Sequence, residues 1–232
     1  LTATNIPDNV SGYGALSDVR YFEGSKAKYV FACNMVTSTS KALQVYRWKD
    51  DGTSSNPEIF LTTTDRKVAG RWGDGFYITG DPDGDGKIWF VRSSSGSSNA
   101  SVIYYKITNG VCATTPHITT LPVAKAMPAK IVPISDTQFW VDDLQAEKDV
   151  VLYEWVEDGT ATVVDQIKYT GNEALNTGRG NDIAPFSLLH SDQQYAFITD
   201  QENGSTSWNN ANALLLKKDA TENKKKIDAP SG

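Results

Sequence analysis

The chain has 232 residues, 39% of them hydrophobic, and a formal charge of −6, enough for one domain or two small ones around a sizeable core. The acidic balance argues against a nucleic-acid partner, and the one lysine-rich patch, LLKKDATENKKKIDAP, is broken by Asp219 and Glu222 into a solvated hairpin. No apolar run approaches the roughly 18 residues of a membrane helix, and two cysteines, Cys33 and Cys112, exclude a disulfide framework; a buried thiol beside an unrelated one fits them better than a bridge.

Short alternating or aromatic-rich runs between polar turns, without a 3.6-residue period, predict an all-β protein. In chain order, a first strand SDVRYFEG leads to YVFACN, then VYRWKDDG, then PEIFLTT. The order returns as GDGFYITG, IWFVRS, YYKITNG and PHITTLP, and again as AKIVPIS, FWVDDL, LYEWVEDG and ATVVDQI. A fourth round runs NDIAPFSLL, YAFITD, ALLLKKDATEN and KKKIDAP. The third strands VYRWKDDG and LYEWVEDG share Tyr, Trp, Asp and Gly in register. Four-stranded units repeated in this way predict a β-propeller of antiparallel blades, at roughly 13–62, 68–121, 128–167 and 181–230, in a single domain. One sheet with two apolar faces cannot stand alone, and neighbouring blades cover each other. A β-sandwich is the alternative, but it does not require the Trp-bearing strand to return at blade spacing. The opening TATNIP looks like a fourth strand, either completing the last blade or belonging to a further blade outside this chain.

The repeat sorts residues. Trp48 and Trp155 fall on third strands and Trp89 and Trp140 on second strands, which assigns all four to packing between blades. Trp72, in AGRWGDG, and Trp208, in NGSTSWNNAN, break the pattern among small polar residues and are candidate ligand contacts. GRWGD, GRGND and YGALSD each end in an aspartate (Asp74, Asp182 and Asp18) that enters an inner strand, where the third blade has Lys130. Crowded round one mouth of a channel, Tyr13, Arg71, Trp72, Asp74, Arg179 and Asp182 would form a mixed-charge rim, its arginines offering forked donors to a ligand; pinning of each turn by its own aspartate is the alternative.

DPDGDG puts Asp81, Asp83 and Asp85 at alternate positions before Gly86, the opening half of a calcium loop. The twelfth position is Arg92 rather than a bidentate acid, so a polar hairpin tip is favoured over a calcium ion held by the three carboxylates, carbonyls and water. For catalysis the chain offers His117 and His190 on different parts of their blades, and the adjacent pair Asp142–Asp143, whose side chains point to opposite faces of a strand. Nothing in these motifs asks for an enzyme, and no catalytic residue or cofactor is assigned.

The segments KYVFACNMVTSTSKALQVYRWKDDGT and RWGDGFYITGDPDGDGKIWFVRS resemble uncharacterised surface lipoproteins of Bacteroidetes, including propeller-like proteins that accompany outer-membrane nutrient importers. The resemblance implies a lipid-anchored, extracellular protein whose anchoring residue lies upstream of Leu1, working beside a transporter and its lipoproteins on glycans or peptides. The leading expectation is therefore a non-enzymatic, ligand- or partner-binding propeller. A carbohydrate-active or lactone-cleaving enzyme using rim carboxylates and a structural docking subunit of a transporter are the alternatives.

Overall fold

The computed structural model describes the backbone of residues 16–50, 57–93, 99–122, 130–143, 149–168, 179–187, 194–201, 212–217 and 226–227; side chains are described as far as 166, those of 93, 142, 143 and 149 excepted. Among the described residues the chain forms sixteen strands and no helix. They make four antiparallel four-stranded sheets, each a meander in chain order. Sheet 1 holds β1 (Leu16–Glu23), β2 (Lys28–Asn34), β3 (Leu43–Lys49) and β4 (Glu58–Thr63). Sheet 2 holds β5 (Arg71–Gly80), β6 (Gly86–Ser93), β7 (Ser101–Thr108) and β8 (Val111–Thr120). Sheet 3 holds β9 (Ile131–Pro133), β10 (Gln138–Asp143), β11 (Asp149–Glu154) and β12 (Thr162–Lys168), and sheet 4 holds β13 (Arg179–Ser187), β14 (Gln194–Gln201), β15 (Asn212–Lys217) and β16 (Lys226–Ile227).

The sheets pack in succession because both faces of the middle one are apolar. Successive residues of a strand point to opposite faces, so Ile88 and Phe90 of β6 look one way while Trp89 and Val91 look the other. Ile88 and Phe90 join Phe76, Ile78, Ile103 and Tyr105 against Tyr29, Phe31, Cys33 and Val45 of sheet 1. Trp89 and Val91 join Val102 and Tyr104 against Phe139, Val141, Val151 and Tyr153 of sheet 3. Trp155 closes on Trp89 edge-on, with ring centroids 5.6 Å apart. Backbone contact continues the series, β9 and β10 lying beside β13 and β12 beside β15.

The first strands of the sheets run side by side in the same order: β1 with β5, β5 with β9, and β9 with β13. The outer edge of sheet 2 is covered by the turn between β11 and β12, where Asp158 N donates to Ile118 O (2.7 Å), Thr120 N donates to Gly159 O and Ala161 N donates to Thr120 O (both 2.8 Å). Covering an edge strand in this way removes a template for unwanted pairing.

Sheet 1 has a second apolar face, pointing away from sheet 2. The register aligns Val19 with Ala32, Ala32 with Tyr46 and Tyr46 with Ile59, and, one pleat on, Tyr21 with Val30 and Val30 with Trp48. Val19 is 60% exposed and Tyr21 48%. Trp48 therefore differs from Trp155 in its surroundings: its ring contact among the described residues is Tyr46, at 6.3 Å, within its own sheet.

Candidate functional site: a charge network on the first strands of the sheets

Each of the three recurring aspartates sits at an irregularity in the first strand of its sheet. Register shifts fall between Leu16 and Asp18 in β1, between Trp72 and Phe76 in β5, and between Gly180 and Asp182 in β13. A bulge re-aims side chains, and here it sets Asp18 and Asp74 inside the strand rather than in the connection before it. Gly73 shows why the local sequence is glycine-rich. Its φ is +88°, and a Cβ there would lie 2.2 Å from Asn34 O. Only glycine fits.

Two of these strands and the residue before β9 meet in one network. Asp18 Oδ2 accepts from Arg20 Nε (2.9 Å) and from the amide of Phe76 on β5 (3.2 Å). Asp18 Oδ1 pairs with Lys130 Nζ at 3.1 Å, and the same ammonium donates to Asp74 O at 3.2 Å. Arg71 donates Nε to both Asp74 carboxylate oxygens (2.9 and 2.7 Å) and Nη2 to one of them. Asp18, Asp74 and Lys130 are about one-tenth exposed, whereas Arg71 is 43% exposed. The result is an enclosed ionic base with one guanidinium at the surface. Two aspartates face three cations, so the described part of the network carries a net positive charge. Lys130, marked in the sequence only as the blade that lacks the aspartate, is the residue that ties β1, β5 and β9.

The other expected rim residues divide. Arg179 and Asp182 lie on β13, in register with Gln201 and Thr199, and their side chains lie outside the described residues, as do Tyr13, Trp208 and His190 altogether. Trp72 is a correction. Its ring is wholly buried in the core between sheets 1 and 2, its Nε1 donates to Val68 O (3.1 Å), and its backbone pairs with Val36. The small polar neighbours that made it look exposed are the turn residues that fold it inward.

The aspartate loop is also re-read. Asp83 directs its carboxylate into sheet 1: Oδ1 accepts from Tyr29 OH (2.5 Å), and Oδ2 from Lys26 N (2.9 Å) and Ala27 N (3.2 Å). Asp81 Oδ1 accepts from Ser25 N (3.0 Å) and Asp83 N (2.9 Å), while Asp85 Oδ1 accepts from Asn109 N (3.0 Å). Thus the three carboxylates diverge to separate donors, and among the described residues no group of three His, Cys, Asp or Glu side chains is placed to hold a metal. Amide and hydroxyl donors serve each carboxylate, as in the polar hairpin tip the sequence favoured. Burial pushes the Asp83 pKa up, but Tyr29, the two amides and Arg47 outweigh it and hold the group below the usual carboxylate range. The loop docks on the turn after β1, where a Cβ on Gly24 would meet Asp83 Oδ2 at 2.2 Å. Two turns that looked equivalent in the repeat are partners in space.

Elsewhere, His117 stacks on Tyr104 (4.6 Å between centroids) and its Nδ1 bonds Glu157, which also accepts from Trp155 Nε1 at 3.2 Å. Asp142 and Asp143 stand opposite Val150 and Asp149 in the backbone register. A groove of about 420 Å³ bounded by Lys87, Lys106, Asp85 and Asp136 lies at the turns between β5 and β6 and between β9 and β10, the strand ends opposite the network. Cys33 and Cys112 are both free thiols. Burial pushes the Cys33 pKa far up, and that of Cys112 to about 12, so neither is a thiolate nucleophile at neutral pH.

No family model, curated protein or solved structure matches this chain.

Proposed function

We propose that the chain is a β-propeller that binds a ligand at the strand ends where its inner strands begin, with Arg71 as the main contact. The observation that carries this reading is the network itself. Residues from β1, β5 and the start of β9 meet there, and their buried partners hold a half-exposed guanidinium in a fixed orientation. A pre-oriented arginine fork suits carboxylate and hydroxyl groups of a glycan or a peptide. Ring closure draws support from the second apolar face of sheet 1, where Val19, Tyr21 and Trp48 occupy the side that a neighbouring blade covers in a propeller. Arg179 and Asp182, one bulge further round, belong to the same rim in this reading.

The resemblance of the first half of the chain to surface lipoproteins supports a place on the outside of a bacterial outer membrane. There the domain would present glycans or peptides to a transporter as a non-catalytic accessory. Glycan and peptide arrays probed with the wild-type protein and with Arg71→Ala test the binding role. The expected result is a defined class of bound ligands whose affinity falls about tenfold or more in the variant, a loss of about 1.4 kcal/mol. Equal binding by Arg71→Ala, or no bound ligand of either class, overturns the reading.

A further inference from the structure

Among the described residues, Arg66 is an enclosed cation with no paired carboxylate. Arg66 lies in the connection between β4 and β5 and is 3% exposed. A guanidinium carries five N–H donors. Nη1 gives one to Lys41 O and Nη2 one to Ser38 O, each at 2.7 Å, and Nε has no partner. Among the described residues no carboxylate pairs with it. The neighbouring acid, Asp65, turns Oδ1 onto Lys67 N instead (3.3 Å). Burial lowers the Arg66 pKa, yet a guanidinium remains charged at neutral pH. Buried charges in proteins are ordinarily paired, because an isolated one loses its hydration with nothing in return.

Arg66 lines a recess of about 240 Å³ together with Thr39, Thr64, Asp65 and Lys67. Thr39 and Thr64 are exposed, so their hydroxyls are open to a ligand. Lys67 Nζ pairs with Asp158 at 2.7 Å, which leaves two of its three protons for another acceptor. We propose that this recess is an oxyanion site that takes a phosphate or sulfate group, free or as an ester on a sugar. A tetrahedral oxyanion offers several acceptor oxygens at once, matching the charge and the remaining Nη protons of Arg66, the ammonium of Lys67 and the two hydroxyls. The positions of Ser38 and Lys41, held by Arg66 itself, keep the recess formed without a ligand. This site depends neither on ring closure nor on Arg71.

The test is calorimetric titration and thermal unfolding with inorganic phosphate and sulfate, against chloride at matched ionic strength. Saturable binding is expected, with a rise in Tm that chloride does not reproduce. Arg66→Lys, which keeps the charge but loses the fork, should weaken binding about tenfold. Lys67→Ala and Thr64→Val should each weaken it severalfold while leaving Tm in chloride unchanged. Glucose 6-phosphate and galactose 6-sulfate distinguish the sources: tighter binding than the inorganic ions identifies an esterified glycan, equal binding a free ion, and either result supports the site. An identical Tm rise in chloride, or titrations unchanged in the Lys67→Ala/Thr64→Val double variant, overturns it. The double variant decides the matter if Arg66→Lys does not fold.

Discussion

Removing the Asp83 carboxylate should separate two sheets that its sequence gives no sign of joining. Asp83→Ala leaves three donors behind. Tyr29 OH, on a residue only 2% exposed, loses a 2.5 Å bond in the core, and the amides of Lys26 and Ala27 lose bonds of 2.9 and 3.2 Å. An orphaned buried donor costs about 1–3 kcal/mol, and hydrogen bonds to a charged group lie toward the upper end. The two amides are part-buried and recover some water, so the expected total is about 3–4 kcal/mol. Asp83→Asn keeps the shape. Its amide oxygen can still serve Lys26 and Ala27 while Tyr29 turns its hydroxyl to accept, so that variant should cost only about 1–2 kcal/mol.

Charge sets the pH dependence. Because the folded pKa of Asp83 lies below the ordinary value, the stabilisation is fully present above the unfolded carboxylate pKa of about 4 and is lost as pH falls through the folded pKa. The gap between wild type and Asp83→Asn should therefore be constant from neutral pH down to about 5 and shrink below about 4. Urea denaturation followed by tryptophan fluorescence, from pH 7 to pH 3 in calcium-free buffer, measures it. A cost for Asp83→Ala under about 1 kcal/mol, or a gap independent of pH, would refute the clamp. A Tm that falls on adding chelator to the wild type would instead mean that the aspartates hold a cation.

Other consequences are simpler. Trp72→Ala should cost about 3–5 kcal/mol, as for a large ring removed from a core, whereas Arg71→Ala one position earlier should cost under about 1 kcal/mol because its pair with Asp74 is half-exposed; paired urea melts check the contrast. If a neighbouring blade covers the second face of sheet 1, Tyr21→Ser should destabilise by about 1.5–3 kcal/mol, and a change within about 0.5 kcal/mol would show that the face is solvated. Cys33 is wholly buried with its Sγ on Gly73 O (3.2 Å). In native protein its labelling by a thiol reagent should proceed only at the rate of opening, and rapid labelling would contradict that packing.

Much of the architecture was legible because it is written in short-range periodicity. Alternation within strands, polar turns between them, and the fourfold return of the same strand order delimit four meanders, and four such sheets are what the chain forms. Trp89 and Trp155 meet between sheets, as their repeat positions implied. Asp18, Asp74 and Lys130 were legible as occupants of corresponding places in the repeat, where the first strand of each sheet begins, but the ion pairs among them were not. Trp72 was misread for the opposite reason: polarity of sequence neighbours reports on the turn, not on where a bulged backbone directs a ring.

Local sequence thus determines strand, turn and repeat, since these depend on interactions a few residues apart. Partnership across sheets depends on how twisted layers settle against one another. That Asp83 seats under the turn after β1, that Lys130 joins Asp18 to β5, and that Arg66 is enclosed without an acid are outcomes of packing between segments 25 to more than 100 residues apart. No spacing rule reaches that far, because the separation of two groups in space is decided by all the side chains between the sheets at once.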